Sequence, residues 1–486
     1  MTNINEKATE ILQKYWKIDK LKDKQYELIS NYIEGNDVIG LLPTGYGKSL
    51  CYLLPPLITN KVIFIISPLI SLMEDQKEKL IEMNIPVATL HGNNINKDSE
   101  ILKIINGEIN IVYMSPEYMI QGAGFELSST LINTGRLGFF AVDESHCIST
   151  WGHDFRDDYM KLNLFREKYP TIPIMALTAT ATTQVVQDIV VNLHMNKPKI
   201  ITTSFDRPNI YIKCVGVKKN TVDVIIPWLK KYSESKIIIY VNSRIGTTDL
   251  AKAINDLKLD GTIADAYHAG MDKVARNKTQ TKFNNNIINV IVSTVAYSMG
   301  IDQIVQCVII FGSPHSIDDF YQQVGRCGRN NESAEAILFF QYKNIAIATS
   351  MIKKNNTEGE ITDNKINGLK KMANFFYTKT CRRRVILEHF NQIPKFFWCN
   401  YCDNCCERET INLTDKFIDI LFKNKPINKI LSDNELLIVI DNNLMGRRGN
   451  TDYEILGSLK NWKRIIETNK YLERNIPKKY NIMCAI

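Results

Sequence analysis

Residues 37–52 read DVIGLLPTGYGKSLCY. Asp37–Leu42 is a short, mostly apolar run that fits a strand buried in a sheet. It enters a loop in which Gly45 and Gly47 let backbone N–H groups curl around phosphates. Lys48 follows, able to reach the terminal phosphates, and then Ser49, able to ligate magnesium. The next residues open a helix, whose N-terminal dipole favours an anion. The strict spacing asks for glycine at position 42, where Leu42 stands. Strand, phosphate loop and helix in this order predict an α/β nucleotide-binding fold.

Working outward, residues 6–33 show helical spacing of Ile11, Leu12, Tyr15, Leu28, Ile29 and Tyr32. Downstream, buried strands are expected at Lys61–Ser67, Val87–Leu90, Ile109–Met114, Leu137–Val142 and Ile174–Ala176, with helices between them. Such alternation predicts a parallel sheet covered on both faces, with ligands at the carboxyl ends of its strands. Two further features fall at those ends. One is 141–156, AVDESHCISTWGHDFR, which sets Asp143 and Glu144 directly after an apolar run. Paired carboxylates there suit a magnesium nucleotide, one holding the ion and the other polarising water. Trp151, His153, Phe155 and Arg156 then crowd a short loop, the mix of aromatic and basic groups that stacks on unpaired bases and holds phosphates. The other is Leu177–Thr182, LTATAT, with Thr178 and Thr180.

A boundary is expected near Pro198–Pro208, and a second alternation begins at Lys236. Strands are expected at 236–241, 264–268, 289–293, 305–311 and 337–340. This half lacks a phosphate loop but holds YQQVGRCGR, 321–329, whose Arg326 and Arg329 could reach across a cleft to a γ-phosphate. Beyond it the spacing Cys381-x17-Cys399-x2-Cys402-x2-Cys405 predicts a closed, four-thiolate structural zinc site, with Cys406 as a substitute ligand. Residues 411–486 suggest two helices and a terminal hairpin with a basic turn, compatible with a shortened winged helix or with a small packing domain.

At 486 residues and net charge +8, the chain permits nucleic-acid binding without demanding it. No apolar run reaches the roughly 18–20 residues that span a bilayer, and the N-terminus lacks a signal-peptide core. A soluble protein of a reducing intracellular compartment, nucleus or cytoplasm alike, is therefore expected, with its 11 cysteines as thiols or metal ligands.

The ordered set PTGYGKS, SPLISLMEDQ, DESHCISTWGHDFR, ALTATAT, SFDRPNI, IIYVNSR, YHAGM, STVAYSMGID and YQQVGRCGRN resembles the RecQ family of superfamily 2 DNA helicases, over about residues 20–406. The resemblance implies two tandem RecA-like lobes, 1–203 and 204–345, a helical zinc module, 346–410, and a small C-terminal domain, 411–486. It implies that Thr44, Gly45, Tyr46, Gly47 and Lys48 hold the nucleotide, and Ser49 with Asp143 the Mg2+. Glu144 would be the general base, and His146 and Gln322 would sense the nucleotide. Arg326 and Arg329 would act at the γ-phosphate, while Gly300 and Asp302 would line the cleft. Thr178 and Thr180 would couple hydrolysis to lobe movement, and Ser149–Arg156 would link DNA binding to it. Gln25 matches the family's adenine contact, whereas Lys22 stands where relatives carry arginine. The expected activity is ATP-dependent 3′-to-5′ translocation and unwinding in repair, recombination or replication. The expected ligands are ATP, Mg2+, Zn2+ and single-stranded or forked DNA, with single-strand-binding or repair proteins as compatible partners and no membrane. The rivals are an RNA helicase of the DExH class and an annealing scaffold without unwinding.

Overall fold

The computed structural model of the chain describes residues 4–406, apart from 93, 95, 152–154, 218–220, 295–302 and 356–358. His153, Gly300, Asp302 and the 411–486 tail lie outside the described residues.

Two parallel sheets follow one another. The first contains β1 (Val38–Leu41), β2 (Val62–Ile66), β3 (Val87–Leu90), β4 (Ile111–Met114), β5 (Leu137–Val142), β6 (Ile174–Thr178) and β7 (Lys199–Thr202). Their spatial order is β3-β4-β2-β5-β6-β1-β7. The second contains β8 (Ile210–Gly216), β9 (Ile237–Val241), β10 (Ala264–Tyr267), β11 (Val290–Ser293), β12 (Cys307–Phe311) and β13 (Ala334–Phe340), in the order β10-β11-β9-β12-β13-β8. Central strands are buried on both faces: β2 (VIFII) and β9 (IIIYV) are buried at every residue. Each such aliphatic side chain contributes about 1.5–3 kcal/mol by leaving water, which favours parallel sheets sandwiched by helices.

The order places the site. β1 and β2 are consecutive in the chain but separated in the sheet by β5 and β6. The helix Lys48–Thr59 joining them therefore crosses over those two strands, and the loops after β1, β5 and β6 share one edge. Register aligns them: Leu41 faces Thr178, Val142 faces Ala176, and the Leu42 N–H donates to the Thr178 carbonyl at 3.1 Å. Asp37, buried, anchors the other end of β1. Its Oδ1 accepts from Arg166 Nη2 at 2.5 Å and the Ile174 N–H at 2.8 Å, and its Oδ2 from the Asn196 N–H at 2.7 Å.

The boundary expected near 198–208 holds less linker than the composition suggests. Lys199–Thr202 is an edge strand on β1, and β8 starts at Ile210, so only 203–209 joins the sheets. Both strands edge their sheets with partly solvent-facing side chains, which blurs the apolar run that marks the inner strands. After β13 come the helices Tyr342–Asn355, Glu360–Tyr377 and Arg382–His389, which lead into the cysteine cluster. Among the described residues no helix is long and apolar enough to cross a membrane.

Candidate active site

The loop after β1 takes the form the glycines require. Gly45 and Gly47 have φ of +82° and +94°. A Cβ on Gly47 would lie 2.7 Å from Gln25 Nε2. Gln25 is buried and committed to this loop: its Nε2 donates to the Tyr46 and Gly47 carbonyls at 3.1 and 3.0 Å, and its Oε1 accepts the Lys22 N–H at 3.0 Å. Lys22 Nζ lies 4.5 Å over the Tyr46 ring and donates to the Tyr46 carbonyl. Gln25 and Lys22 thus brace the phosphate loop.

Lys48 begins the crossing helix, and its Nζ reaches the Leu42 carbonyl at 3.3 Å. Burial pulls its pKa below the usual lysine range, against the pull of Glu144 and Asp143. Asp143 ends β5. Burial and then Glu144 push its carboxyl up to about 7. Its Oδ1 accepts the Glu144 N–H at 3.0 Å, and Tyr52 Oη stands 3.5 Å from Oδ2. Two close carboxylates beside hydroxyls form a hard-oxygen donor set that suits a magnesium-like cation.

Glu144 has a left-handed backbone, φ 47° and ψ 45°, a strained conformation for a residue with a Cβ. It turns the carboxyl towards His146, whose Nδ1 lies 3.3 Å from Glu144 Oε2 and 2.9 Å from Thr178 Oγ1. Thr178 Oγ1 in turn donates to the Thr180 carbonyl at 3.0 Å and accepts the Thr180 N–H. The acid pair and the LTATAT segment are therefore one bonded unit, and His146 is buried within it.

The second lobe closes the cleft. Thr44, Lys48, Ser49, Asp143 and Glu144 line one cavity with Gln322 and Arg326. The lobes approach closely here: a Cβ on Gly325 would lie 3.1 Å from Thr44 Cβ, and one on Gly45 would lie 3.6 Å from Arg329 Cγ. Both arginines are electrostatic neighbours of Lys48.

Trp151 faces elsewhere. Trp151 is 47% exposed and lines a second cleft with Thr150, His315, Asp318, Asn364 and Lys371. That cleft lies between the first lobe, the start of the helix Ile317–Val324 and the helix Glu360–Tyr377. Asn364 Nδ2 donates to the Thr150 carbonyl at 3.4 Å. Arg156 is turned inward, its Nη1 donating to the Pro68 carbonyl at 2.6 Å, and Phe155 is half-buried.

Cys381, Cys399, Cys402 and Cys405 converge, with sulfurs within 4.8 Å of one another. Cys399–Cys405 and Cys402–Cys405 are 3.7 and 3.4 Å apart. A tetrahedral ion with Zn–S bonds of about 2.3 Å spaces its sulfurs by about 3.8 Å, so the four residues fit zinc. Cys406 is outside this group and exposed. Asp403 braces the cluster: it takes Arg382 Nε and Nη2 at 2.9 and 3.1 Å and the Cys214 N–H of β8 at 2.8 Å.

Family models match three consecutive segments: a DEAD/DEAH box helicase domain over 22–189, a helicase conserved C-terminal domain over 218–331 and a RecQ zinc-binding domain over 342–406. The chain belongs to the RecQ family of ATP-dependent DNA helicases. An Acanthamoeba polyphaga mimivirus protein, named as an ATP-dependent RNA helicase, is 36% identical over 84% of this chain and 73% of its own length. RecQ of Haemophilus influenzae is 34% identical over 84% of this chain and 65% of its own. SGS1 of Saccharomyces cerevisiae is 34% identical over 88% of this chain but only 30% of its own, so this RecQ chain spans under a third of that relative. Among solved structures, DNA-bound MrfA has a TM-score of 0.58 over 73% of this chain and 54% of its own, at 19% identity, a likeness of fold.

Sequence reasoning missed Tyr52, Tyr113 and Gln76, which also line the nucleotide cleft. It gave no role to Asp206, Arg207 or Asn209, whose motif, SFDRPNI, was visible. Only the folded chain shows what those side chains reach.

Proposed function

We propose that this RecQ chain hydrolyses ATP to move 3′ to 5′ along single-stranded DNA and to open forked duplexes, in repair, recombination or replication. One observation carries the ATP-driven part of the reading: the phosphate loop and acid pair of the first lobe share a cleft with Gln322 and Arg326 of the second; the DNA substrate and the 3′-to-5′ direction rest on the family resemblance. Such a cleft can open and close with each nucleotide, which is how hydrolysis becomes movement. The domain limits proposed are 1–203, 204–345, 346–410 and 411–486.

Lys48 holds the β- and γ-phosphates, supported by its place between the loop and the carboxylates. Ser49 and Asp143 hold Mg2+, which neutralises developing phosphate charge when bound. Glu144 orients and deprotonates the attacking water. Arg326 and Arg329 stabilise charge at the γ-phosphate, with Gln322 as sensor. His146, Thr178 and Thr180 pass the state of the acid pair to the lobe interface, a role supported by their hydrogen-bonded chain. The four cysteines hold a structural zinc ion.

Turnover and unwinding of matched DNA and RNA duplexes, each with a 3′ or a 5′ tail, test the reading. DNA with a 3′ tail is the expected best substrate. The name of the mimivirus relative supports RNA as a second reading, and faster RNA unwinding would establish it.

Trp151 stacks on a base of the bound strand in this reading, a contact of about 1–3 kcal/mol supported by its exposure. Trp151→Ala is expected to keep nucleotide affinity and basal hydrolysis while losing most DNA stimulation. Normal stimulation in that variant would remove the loop from the coupling role.

A further inference from the structure

The segment joining the lobes is bonded on both sides. Asp206 takes two hydrogen bonds from Arg383, from Nε at 2.8 Å and Nη2 at 2.7 Å. Arg383 lies on the helix Arg382–His389 that leads out of Cys381. The neighbouring Arg207 reaches the second lobe: its Nη2 donates to the Cys327 carbonyl at 3.0 Å and the Gly328 carbonyl at 2.7 Å. Asn209 Nδ2 adds bonds to the Gly328 and Glu332 carbonyls, both at 2.7 Å.

The Cys327 and Gly328 carbonyls belong to the turn between Arg326 and Arg329. The helix before it ends at Val324; the Arg326 and Cys327 N–H groups still bond locally to the Gln323 and Val324 carbonyls at 3.2 Å each, whereas the Gly328 N–H reaches the Val305 carbonyl at 3.0 Å and its own carbonyl is held by Arg207 and Asn209. Gly328 sits at φ +61°, and a Cβ there would come 2.6 Å from Asn209 Nδ2. On its other side the turn meets Thr44 of the phosphate loop through Gly325. Charge-assisted bonds from a planar guanidinium fix position better than neutral ones.

We infer that Arg207 is a positioning residue for hydrolysis, holding the Cys327 and Gly328 carbonyls so that Arg326 and Arg329 stand at the γ-phosphate, and that the Asp206–Arg383 pair makes this position depend on the cysteine module. The inference rests on the reading of Arg326 and Arg329 proposed above. The module then has a path to the chemistry that passes through neither the nucleotide nor the DNA.

The test uses the full chain carrying Arg207→Ala, Arg207→Lys or Asp206→Asn. Equilibrium affinities are measured for ADP and for ADP–aluminium fluoride, which mimics the phosphoryl group in flight, with turnover and zinc content alongside. Arg207→Ala is expected to keep zinc and ADP affinity. Its preference for the fluoride complex over ADP, and its kcat, are expected to fall about 10- to 100-fold, as small misplacements of catalytic groups do. Lysine should restore part of this, and Asp206→Asn should move the same way by less. If the alanine variant does not fold, the other two carry the test.

An unchanged preference overturns the inference. So does a loss of ADP affinity in step with that of the fluoride complex, which is what a merely structural role produces. A wild type without any such preference also overturns it. A wild type that discriminates the complex and hydrolyses ATP without unwinding sinks only the helicase reading and leaves this one standing.

Discussion

Glu144→Gln is expected to leave the chain folded and nucleotide-bound while slowing ATP hydrolysis about 100- to 10,000-fold, the usual contribution of a positioned general base. The change is nearly isosteric. Glutamine keeps a carbonyl oxygen for the contact with His146 Nδ1, now 3.3 Å from Glu144 Oε2, so the bonded unit with Thr178 survives. The left-handed backbone at 144 is no harder for glutamine than for glutamate. The electrostatics favour retained binding. Burial and then Glu144 raise the Asp143 pKa. With Glu144 neutral, the second cause disappears, Asp143 ionises at lower pH, and its hold on a cation at neutral pH strengthens. Lys48 loses one of the carboxylates that support its charge, but Asp143 remains beside it. Equilibrium nucleotide binding and single-turnover hydrolysis separate the two effects. Turnover close to wild type with nucleotide bound would remove Glu144 from the role of base.

That experiment touches residues whose chemistry was legible from order alone. Lys48 and Asp143 follow apolar runs, and in a parallel sheet the ends of such runs meet at one edge whatever the strand order. The inner strands were legible for the same reason, since burial on both faces leaves few polar letters in β2, β4 or β9. The edge strands β7 and β8 were not. Three of the four residues of Lys199–Thr202 are exposed, and its pairing with β1 depends on a partner 161 positions away (199 − 38) that no local pattern encodes.

Side-chain direction was the other hidden quantity. Trp151 and Arg156 share one loop in the sequence, yet Trp151 faces an open cleft while Arg156 binds the Pro68 carbonyl. Spacing assigned them a common surface, but an irregular loop has no period that fixes which way a side chain points. Gln25 matches an adenine-contact position, and spacing does not show that its amide also bonds the phosphate-loop backbone. Cysteine spacing carried much more. Cys-x2-Cys-x2-Cys puts three thiols within reach of one point before any fold is known, and the helix starting after Cys381 brings the fourth.

Cys402→Ser is expected to cost the chain most of its zinc and to loosen residues 378–406, without weakening equilibrium nucleotide affinity. Serine nearly matches the volume of the buried thiol but is a poor zinc ligand, so the change isolates metal loss from packing. In small zinc domains the metal supplies about 10–16 kcal/mol of apparent folding energy. Less is at stake here, because Phe375, Leu387 and Phe390 also pack into the second lobe's core. The loss propagates through Asp403. Cys402 bridges to Ile212 of β8, and Asp403 beside it pairs with the buried Arg382. If 399–406 moves away, Arg382 stays buried without its carboxylate, a defect of about 3–5 kcal/mol. Metal analysis should read about one zinc per wild-type chain and well below one in the variant, with new protease cleavage between 378 and 406. Cys406→Ser, which changes an exposed thiol outside the cluster, should keep both metal and resistance. Full zinc in Cys402→Ser, or none in the wild type, would dismiss the site. Because the lobes hold the nucleotide and Arg383 lies beside the zinc helix start, kcat should fall in the variant while ATP affinity holds.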